Sequence, residues 1–448
     1  MKFTAGSYRH ILHLAIPIII GAIAQNVILA TDALFMAGVD AVSLDAVGLG
    51  GLYYNTLFVL GFGFSTGVQI LIARRHGEKN LPAIGQVFNS SLQILMAMSL
   101  LLWAVMEVFS PTLLRLIIHS EAVYGQTIAF LDQRAWGIVF AFFGLAFRSL
   151  YIGVSSALVI TLTTIITAVA NVFFNYALIF GHFGFPALGI SGSGMASSIA
   201  EAIGAVSFVG YMWYKGSAKE FSLFRDMKLK EAVIRQVSRI ASPVMFQFFL
   251  SHAGWFVFFL VIERLGEQAL AISVIIRIIY MFEMVPFWGF NAAANTVVSY
   301  LIGSGAGSGV MPSLRKVFLL SFGSSLVLII PNLFFPEWIV GLAAGKALDA
   351  GFIANSVPTL QVISCSLVLF AWSMTYFSGV TGSGNTRFAL LAESITIAIY
   401  VLFAWYVGSR PGAKVHEVWL TEVLYFLLLG LVSYWYMASG RWRRGSGV

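Results

Sequence analysis

The chain has 448 residues, 59% of them hydrophobic and only 10% charged, against about 25% charged in ordinary soluble domains. This composition excludes a soluble globular protein. The net charge of +7 does not point to nucleic acid, because the basic residues fall in short segments between apolar runs. Each run reaches about 20 residues, enough to cross a hydrocarbon layer of about 30 Å as a helix. The fold class is therefore an all-α polytopic membrane protein in the lipid bilayer.

In chain order the predicted spans are 11–35, 46–73, 84–109, 126–147, 157–180, 189–214, 240–262, 267–300, 314–334, 354–379, 387–407 and 416–438. Twelve spans put both termini on one side. With that side cytoplasmic, the inside segments from Lys2 to Arg444 hold 19 of the 26 Lys and Arg. The others are Arg115, Arg134, Arg264, Arg277, Lys346, Arg410 and Lys414, so the positive-inside bias predicts cytoplasmic termini and a plasma (inner) membrane location. Lys2 and Arg9 ahead of an apolar stretch, with Ala22-Ile23-Ala24 after it, mimic a signal peptide. The internal repeat predicts that this segment is retained. Cys365 lies in an apolar span and reads as a small buried hydrophobe.

The sequence repeats at a shift of 226 residues: Pro17 with Pro243, Gly63-Phe64 with Gly289-Phe290, Gly77 with Gly303 and Gly153-Val154 with Gly379-Val380. Six spans per half give two parallel six-helix bundles related by a pseudo-twofold axis along the membrane normal. The predicted organisation is an amino-terminal lobe at 1–214, a polar cytoplasmic linker at 215–239 and a carboxy-terminal lobe at 240–448. The linker reads as a solvated or interfacial amphipathic connector.

Charges inside spans locate candidate chemistry. Asp32 lies in "AQNVILATDALFM", and a carboxylate at mid-membrane costs roughly 2.5 to 3.5 kcal/mol on insertion scales, so it reads as functional. Gln25 is two turns earlier on almost the same face. Asn171 and Asn175 share a face of span 5, as Ser197 and Glu201 do on span 6. Their oxygens suit a hard cation, so Na⁺ at Asp32, Asn171 and Asn175 is the candidate metal site; a desolvated carboxylate can instead carry H⁺. Glu283, Arg277 and His252 are candidates for a substrate pathway. Glu393, near the inner end of span 11, can snorkel to water. With Asp32, Glu201, Glu283 and Glu393 set against Arg277, the interior leans acidic and favours organic cations. "GFSTG" and "GSGAGSG" lack the strand context of nucleophile and dinucleotide motifs, so neither an enzyme nor a cofactor is expected.

"LAIPIIIGAIAQNVILATDALFMAG", "NVFFNYALIFGHFGFPALGISGSGMASSIAE" and "FSGVTGSGNTR" together resemble the multidrug and toxic compound extrusion (MATE) family over essentially the whole chain. The resemblance implies a secondary antiporter that exports organic, often cationic, compounds in exchange for H⁺ or Na⁺. Its prokaryotic pattern has an Asp on helix 1, an Asn and an Asp four apart on helix 5 and a hydroxyl on helix 6. Asp32, Asn171 and Ser197 match it; Asn175 stands in the place of the second acid. The family's carboxy-terminal pattern, a Glu on helix 7 and an Asp on helix 10, is not kept: Ser251 falls near the former position and helix 10 has no acid. This implies coupling through the amino-terminal lobe and a chain nearer the DinF-like than the NorM-like branch. The expected exporter acts as a monomer on organic cations or amphiphiles. A flippase for a lipid-linked substrate is the alternative, with a membrane enzyme and a passive channel behind it.

Overall fold

A computed structural model describes residues 5–228, 230–344 and 350–443. Lys2, Lys346 and Arg444 of the charge count lie outside the described residues. In chain order the helices are α1 (Tyr8–Ala37), α2 (Ala41–Gly77), α3 (Leu81–Ile117), α4 (Glu121–Gly153), α5 (Leu158–Phe180), α6 (Gly189–Lys215), α7 (Ser217–Glu220), α8 (Glu231–Glu263), α9 (Glu267–Gly303), α10 (Val310–Phe334), α11 (Pro336–Ala344), α12 (Ala350–Gly382), α13 (Thr386–Gly408) and α14 (Val415–Ala438). Among the described residues, 12 segments are long and apolar enough to span a membrane, and they correspond to the predicted spans. Helix is what hydrocarbon requires, since it satisfies backbone N–H and C=O groups without water.

The repeat is visible in element lengths. Helices α2 and α9 have 37 residues each, α4 and α12 have 33 each, and α5 and α13 have 23 each. Side chains set several starts: Asp40 accepts from the Ser43 N–H at 2.6 Å ahead of α2, and Asn80 from the Ala83 N–H at 3.2 Å ahead of α3. Gly181 and Gly216 end α5 and α6 at φ of 75° and 69°, a region that glycine enters without a Cβ clash.

Contacts divide the chain into two compact units, one of Ile20–Met245 and one of Met1–Ile19 with Phe246–Val448. The divisions fall shortly after Pro17 in α1 and Pro243 in α8, at equivalent points of the repeat. Each proline removes a helical hydrogen bond and crowds the preceding turn.

In the first unit α4 is central, packed against α2, α3 and α6. Small residues allow close approach. A Cβ on Gly61 would stand 2.4 Å from the Phe142 ring, and one on Gly194 would stand 2.4 Å from the Phe130 carbonyl oxygen. The linker is not a free connector. Its Phe224 N–H donates to Asn89 Oδ1 at 3.0 Å, Asn89 Nδ2 donates to the Asp226 carbonyl at 3.1 Å, and Gln93 Nε2 donates to the Met227 carbonyl at 2.6 Å, tying it to α3. Phe221 and Leu223 are buried beside these bonds.

The second unit is built around α12, which packs against α9, α10 and α14. Phe258, Tyr280, Phe287 and Trp419 are fully buried there, and Trp419 Nε1 donates to Ser273 Oγ at 3.0 Å. Cys365 is exposed, not buried as its apolar span suggested. A span that is apolar on all sides leaves open which face meets lipid.

Gly67 tests the packing of the first unit, because a Cβ there would stand 2.4 Å from the Ala241 Cα, a backbone atom that cannot swing aside. Gly67→Ala should destabilise by about 1–3 kcal/mol through overpacking. Gly125→Ala, with open space around it, should stabilise its helix by up to ~1 kcal/mol. Thermal unfolding of the purified protein in detergent checks both signs.

Candidate cation-coupling site

Three helices of the first unit bring Asp32, Asn171, Asn175 and Ser197 together. Asn175 Nδ2, on α5, donates to Asp32 Oδ1 of α1 at 2.6 Å and to Asn171 Oδ1 at 3.0 Å. Asn171 Nδ2 donates in turn to Ser197 Oγ of α6 at 3.1 Å. The i, i+4 spacing of the asparagines stacks them on one helix face, which is how a single face of α5 reaches both neighbours. Both asparagines and Ser197 are buried, and Asp32 is partly exposed.

One oxygen in this chain is left over: Asn175 Oδ1 is buried and has no hydrogen-bond partner among the described residues. A buried acceptor without a donor costs about 1–3 kcal/mol. The set of one carboxylate, two amide oxygens and one hydroxyl fits a hard monovalent cation. Turning the Asn175 amide over would exchange its N–H for Oδ1 against Asp32 and Asn171, converting a hydrogen-bonded chain into a cluster of oxygens.

Gln25 does not join this group; its side chain is exposed. Glu201 is drawn into a different contact. Its Oε1 pairs with Arg134 Nη2 of α4 at 2.6 Å, and Tyr54 OH of α2 donates to its Oε2 at 3.1 Å. The Arg134 guanidinium lies 3.6 Å from the centre of the Tyr54 ring, a cation–π contact added to the ion pair. Gly137 makes room, since a Cβ there would stand 2.1 Å from Arg134 Nη1. The expected acidic lean is thus corrected for this unit: Glu201 is neutralised by a cation that the sequence left unassigned.

The proposed pathway residues of the second unit have separate partners. Glu283 is buried, accepts from Asn332 Nδ2 at 2.6 Å, and leaves Oε2 unpartnered. The Arg277 guanidinium lies 5.1 Å from the Phe259 ring centre. His252 is exposed, with Nδ1 at 3.0 Å from the Phe248 carbonyl of its own helix. Glu393 does not snorkel: it is 3% exposed and held by Ser251 and Tyr425. Sequence reasoning missed Glu422, which accepts from Trp255 Nε1 at 3.1 Å, Tyr400 OH at 2.9 Å and Tyr280 OH at 3.4 Å. The criterion that singled out Asp32, an acid inside an apolar span, applies equally to Glu422.

The chain matches the family model MatE twice, over residues 17–177 and 243–406. The two matches begin at the two prolines that head the repeat. It is 26% identical to "Probable multidrug resistance protein NorM" of Synechocystis sp., over 86% of this chain and 84% of that protein. It is also 26% identical to the protein of the same name from Rhizobium meliloti, over 96% and 92%. Among solved structures it is similar to an outward-facing multidrug resistance MATE family transporter of the MOP superfamily, with a TM-score of 0.90 at 17% identity and 100% coverage of both chains. It is likewise similar to a MATE crystallised in complex with MaL6, with a TM-score of 0.90 at 18% identity over 98% of this chain and 97% of that one. The shared NorM name of these relatives lends the DinF-like placement no support.

The Arg134–Glu201 pair yields a stability prediction. Arg134→Leu strands a half-buried carboxylate and should cost about 1–3 kcal/mol, whereas Arg134→Leu combined with Glu201→Gln should recover most of it. Thermal unfolding of the two variants beside wild type measures the difference.

Proposed function

Because the chain belongs to the MatE family of multidrug efflux transporters, we propose that it is a secondary antiporter exporting organic cations or amphiphiles in exchange for H⁺ or Na⁺. The observation that carries this reading is the hydrogen-bonded chain Asp32–Asn175–Asn171–Ser197, with the buried Asn175 Oδ1 unpartnered among the described residues. It is a multi-pass membrane protein, not an enzyme, and the bias of Lys and Arg toward the inside segments supports cytoplasmic termini. The flippase alternative has no support from the family match.

The exchange works through charge. Asp32 is the carboxylate of its group, and its direct partner is a neutral amide. An external H⁺ or Na⁺ neutralises it, which changes how α1 meets α5 and α6 and biases the equilibrium between the two access states. The organic compound favours the state that the ion disfavours, so the two sites are coupled even when the ligands occupy different pockets. Asn171, Asn175 and Ser197 hold the ion's oxygen shell or, for a proton, the orientation of the carboxyl group.

The test is transport of a fluorescent organic cation by purified protein in liposomes, under H⁺ and Na⁺ gradients imposed separately. Asp32→Asn keeps size and polarity but removes the charge change, so gradient-driven transport should fall by at least roughly 5- to 150-fold, the usual range of a coupling free energy. Transport unchanged at matched insertion would remove Asp32 from the coupling role.

A further inference from the structure

The second unit holds a buried carboxyl group that two hydroxyls reach on one side only. Glu393 sits on α13, 3% exposed, facing α8 and α14. Both of its donors approach one oxygen: the Ser251 hydroxyl of α8 and the Tyr425 hydroxyl of α14, the latter at 3.2 Å, bond Oε1. The second oxygen, Oε2, is buried and has no partner among the described residues. Gln247 lies one turn before Ser251 on the same face of α8, since the Ser251 hydroxyl also reaches the Gln247 carbonyl at 3.0 Å. Its side-chain Oε1 is a second buried acceptor without a donor.

Counting hydrogens shows what is missing. The Ser251 hydroxyl has one hydrogen to share between two acceptors, Glu393 Oε1 and the Gln247 carbonyl. Two further acceptors, Glu393 Oε2 and Gln247 Oε1, have none. One proton on the Glu393 carboxyl supplies a donor at Oε2 and removes a charge from a dry contact.

The charged and titratable groups around Glu393 agree with this state. Tyr425 of α14 is a neutral donor, and its ring lies 5.7 Å from that of Tyr400. Tyr400 in turn donates to Glu422 of α14, whose two oxygens take three N–H and O–H donors in all. Both oxygens of Glu422 therefore have donors, unlike those of Glu393. On α8, His252 is exposed and bonded within its own helix. Arg277 of α9 lies against Phe259. The two neighbouring acids therefore differ in hydrogen supply, one with donors on both oxygens and the other with an Oε2 left bare among the described residues.

We propose that Glu393 is a proton-carrying site of the second unit, distinct from the Asp32 group, with Gln247 accepting the carboxyl hydrogen. The site binds H⁺ by protonation of a carboxylate and needs no other reactant. Its hydroxyl and amide surroundings suit a proton better than a metal ion, because Ser251 and Tyr425 both present hydrogens to the one oxygen they touch. Any part it plays in exchange rests on the export reading above; its protonation does not.

Infrared spectroscopy of the full-length protein in lipid nanodiscs at neutral pH reads the site directly, without transport. A buried protonated carboxyl gives a C=O band resolved from the carboxylate bands. Because Glu283 and Asp32 can contribute to the same region, the Glu393 component is read as the wild-type minus Glu393→Gln difference, which should show a lost C=O band, while Glu422→Gln should leave that component in place. Gln247→Leu keeps the carboxyl but removes its acceptor, and should move the band to higher frequency; it also serves if the Glu393 variant fails to fold. A spectrum unchanged by Glu393→Gln, a Glu393 component that disappears with Glu422→Gln, or one that is unmoved in folded Gln247→Leu overturns the proposal. Loss of transport with these bands as expected would concern the export reading alone.

Discussion

The ion pair between Arg134 and Glu201 is the contact on which the charge arrangement of the first unit depends. Arg134 comes from the central helix α4, Glu201 from α6, and Tyr54 from α2 closes the triangle with both a hydrogen bond and a ring face. Charges inside hydrocarbon are tolerated when they are paired. Glu201 is thereby fixed in an ion pair, while Asp32 is met directly by the neutral N–H of Asn175. The positive charge of Arg134 is also felt at Asp32. A carboxylate held by a neutral donor and a remote cation can be neutralised by a mobile ion, whereas one locked to a guanidinium cannot.

The repeat keeps part of this device and changes the rest. Tyr54 and Tyr280 are counterparts at the 226-residue shift, and each donates to a glutamate on the last long helix of its half, Glu201 on α6 and Glu422 on α14. The tyrosines are repeat counterparts but the glutamates are not, since the shift carries Glu201 to Leu427, and the charge balance of the two contacts differs as well. In the first unit a guanidinium neutralises the acid; in the second, Trp255 and Tyr400 surround it with neutral donors. Neutral N–H and O–H groups disperse a carboxylate's charge without cancelling it.

Much of the architecture was legible because the bilayer imposes a length and a hydropathy that a sequence cannot hide. The spans and the repeat followed from that constraint, and so did the i, i+4 faces that bring Asn171, Asn175 and Ser197 to Asp32. The identity of each acid's partner was not legible. Arg134 lies more than sixty positions from Glu201, and only the packing of α4 against α6, permitted by Gly194 and Gly137, puts them side by side. Glu393 failed for the same reason: its place near a helix end suggested escape to water, but Ser251 and Tyr425, both distant in sequence, hold it inside. Linker residues 221–227 looked solvated by composition, yet their backbone finds donors and acceptors on Asn89 and Gln93 that no periodicity marks.

These environments bear on how an exchanger can be selective among monovalent ions. A metal ion needs several oxygens turned toward it with no hydrogens in the way, whereas a proton needs only one acceptor and a place to direct its bond. The Asp32 group can meet the first demand by turning a single amide, since Asn175 carries an unused oxygen on the side opposite its N–H. The Glu393 group cannot, because both hydroxyls that reach it come as donors to the same oxygen. Under the proposed exchange, any sensitivity to Na⁺ therefore belongs to the first unit, and a proton response confined to the second would remain when Na⁺ is replaced. Linkage makes each effect reciprocal: an ion that shifts the affinity for the exported compound has its own affinity shifted by the same factor.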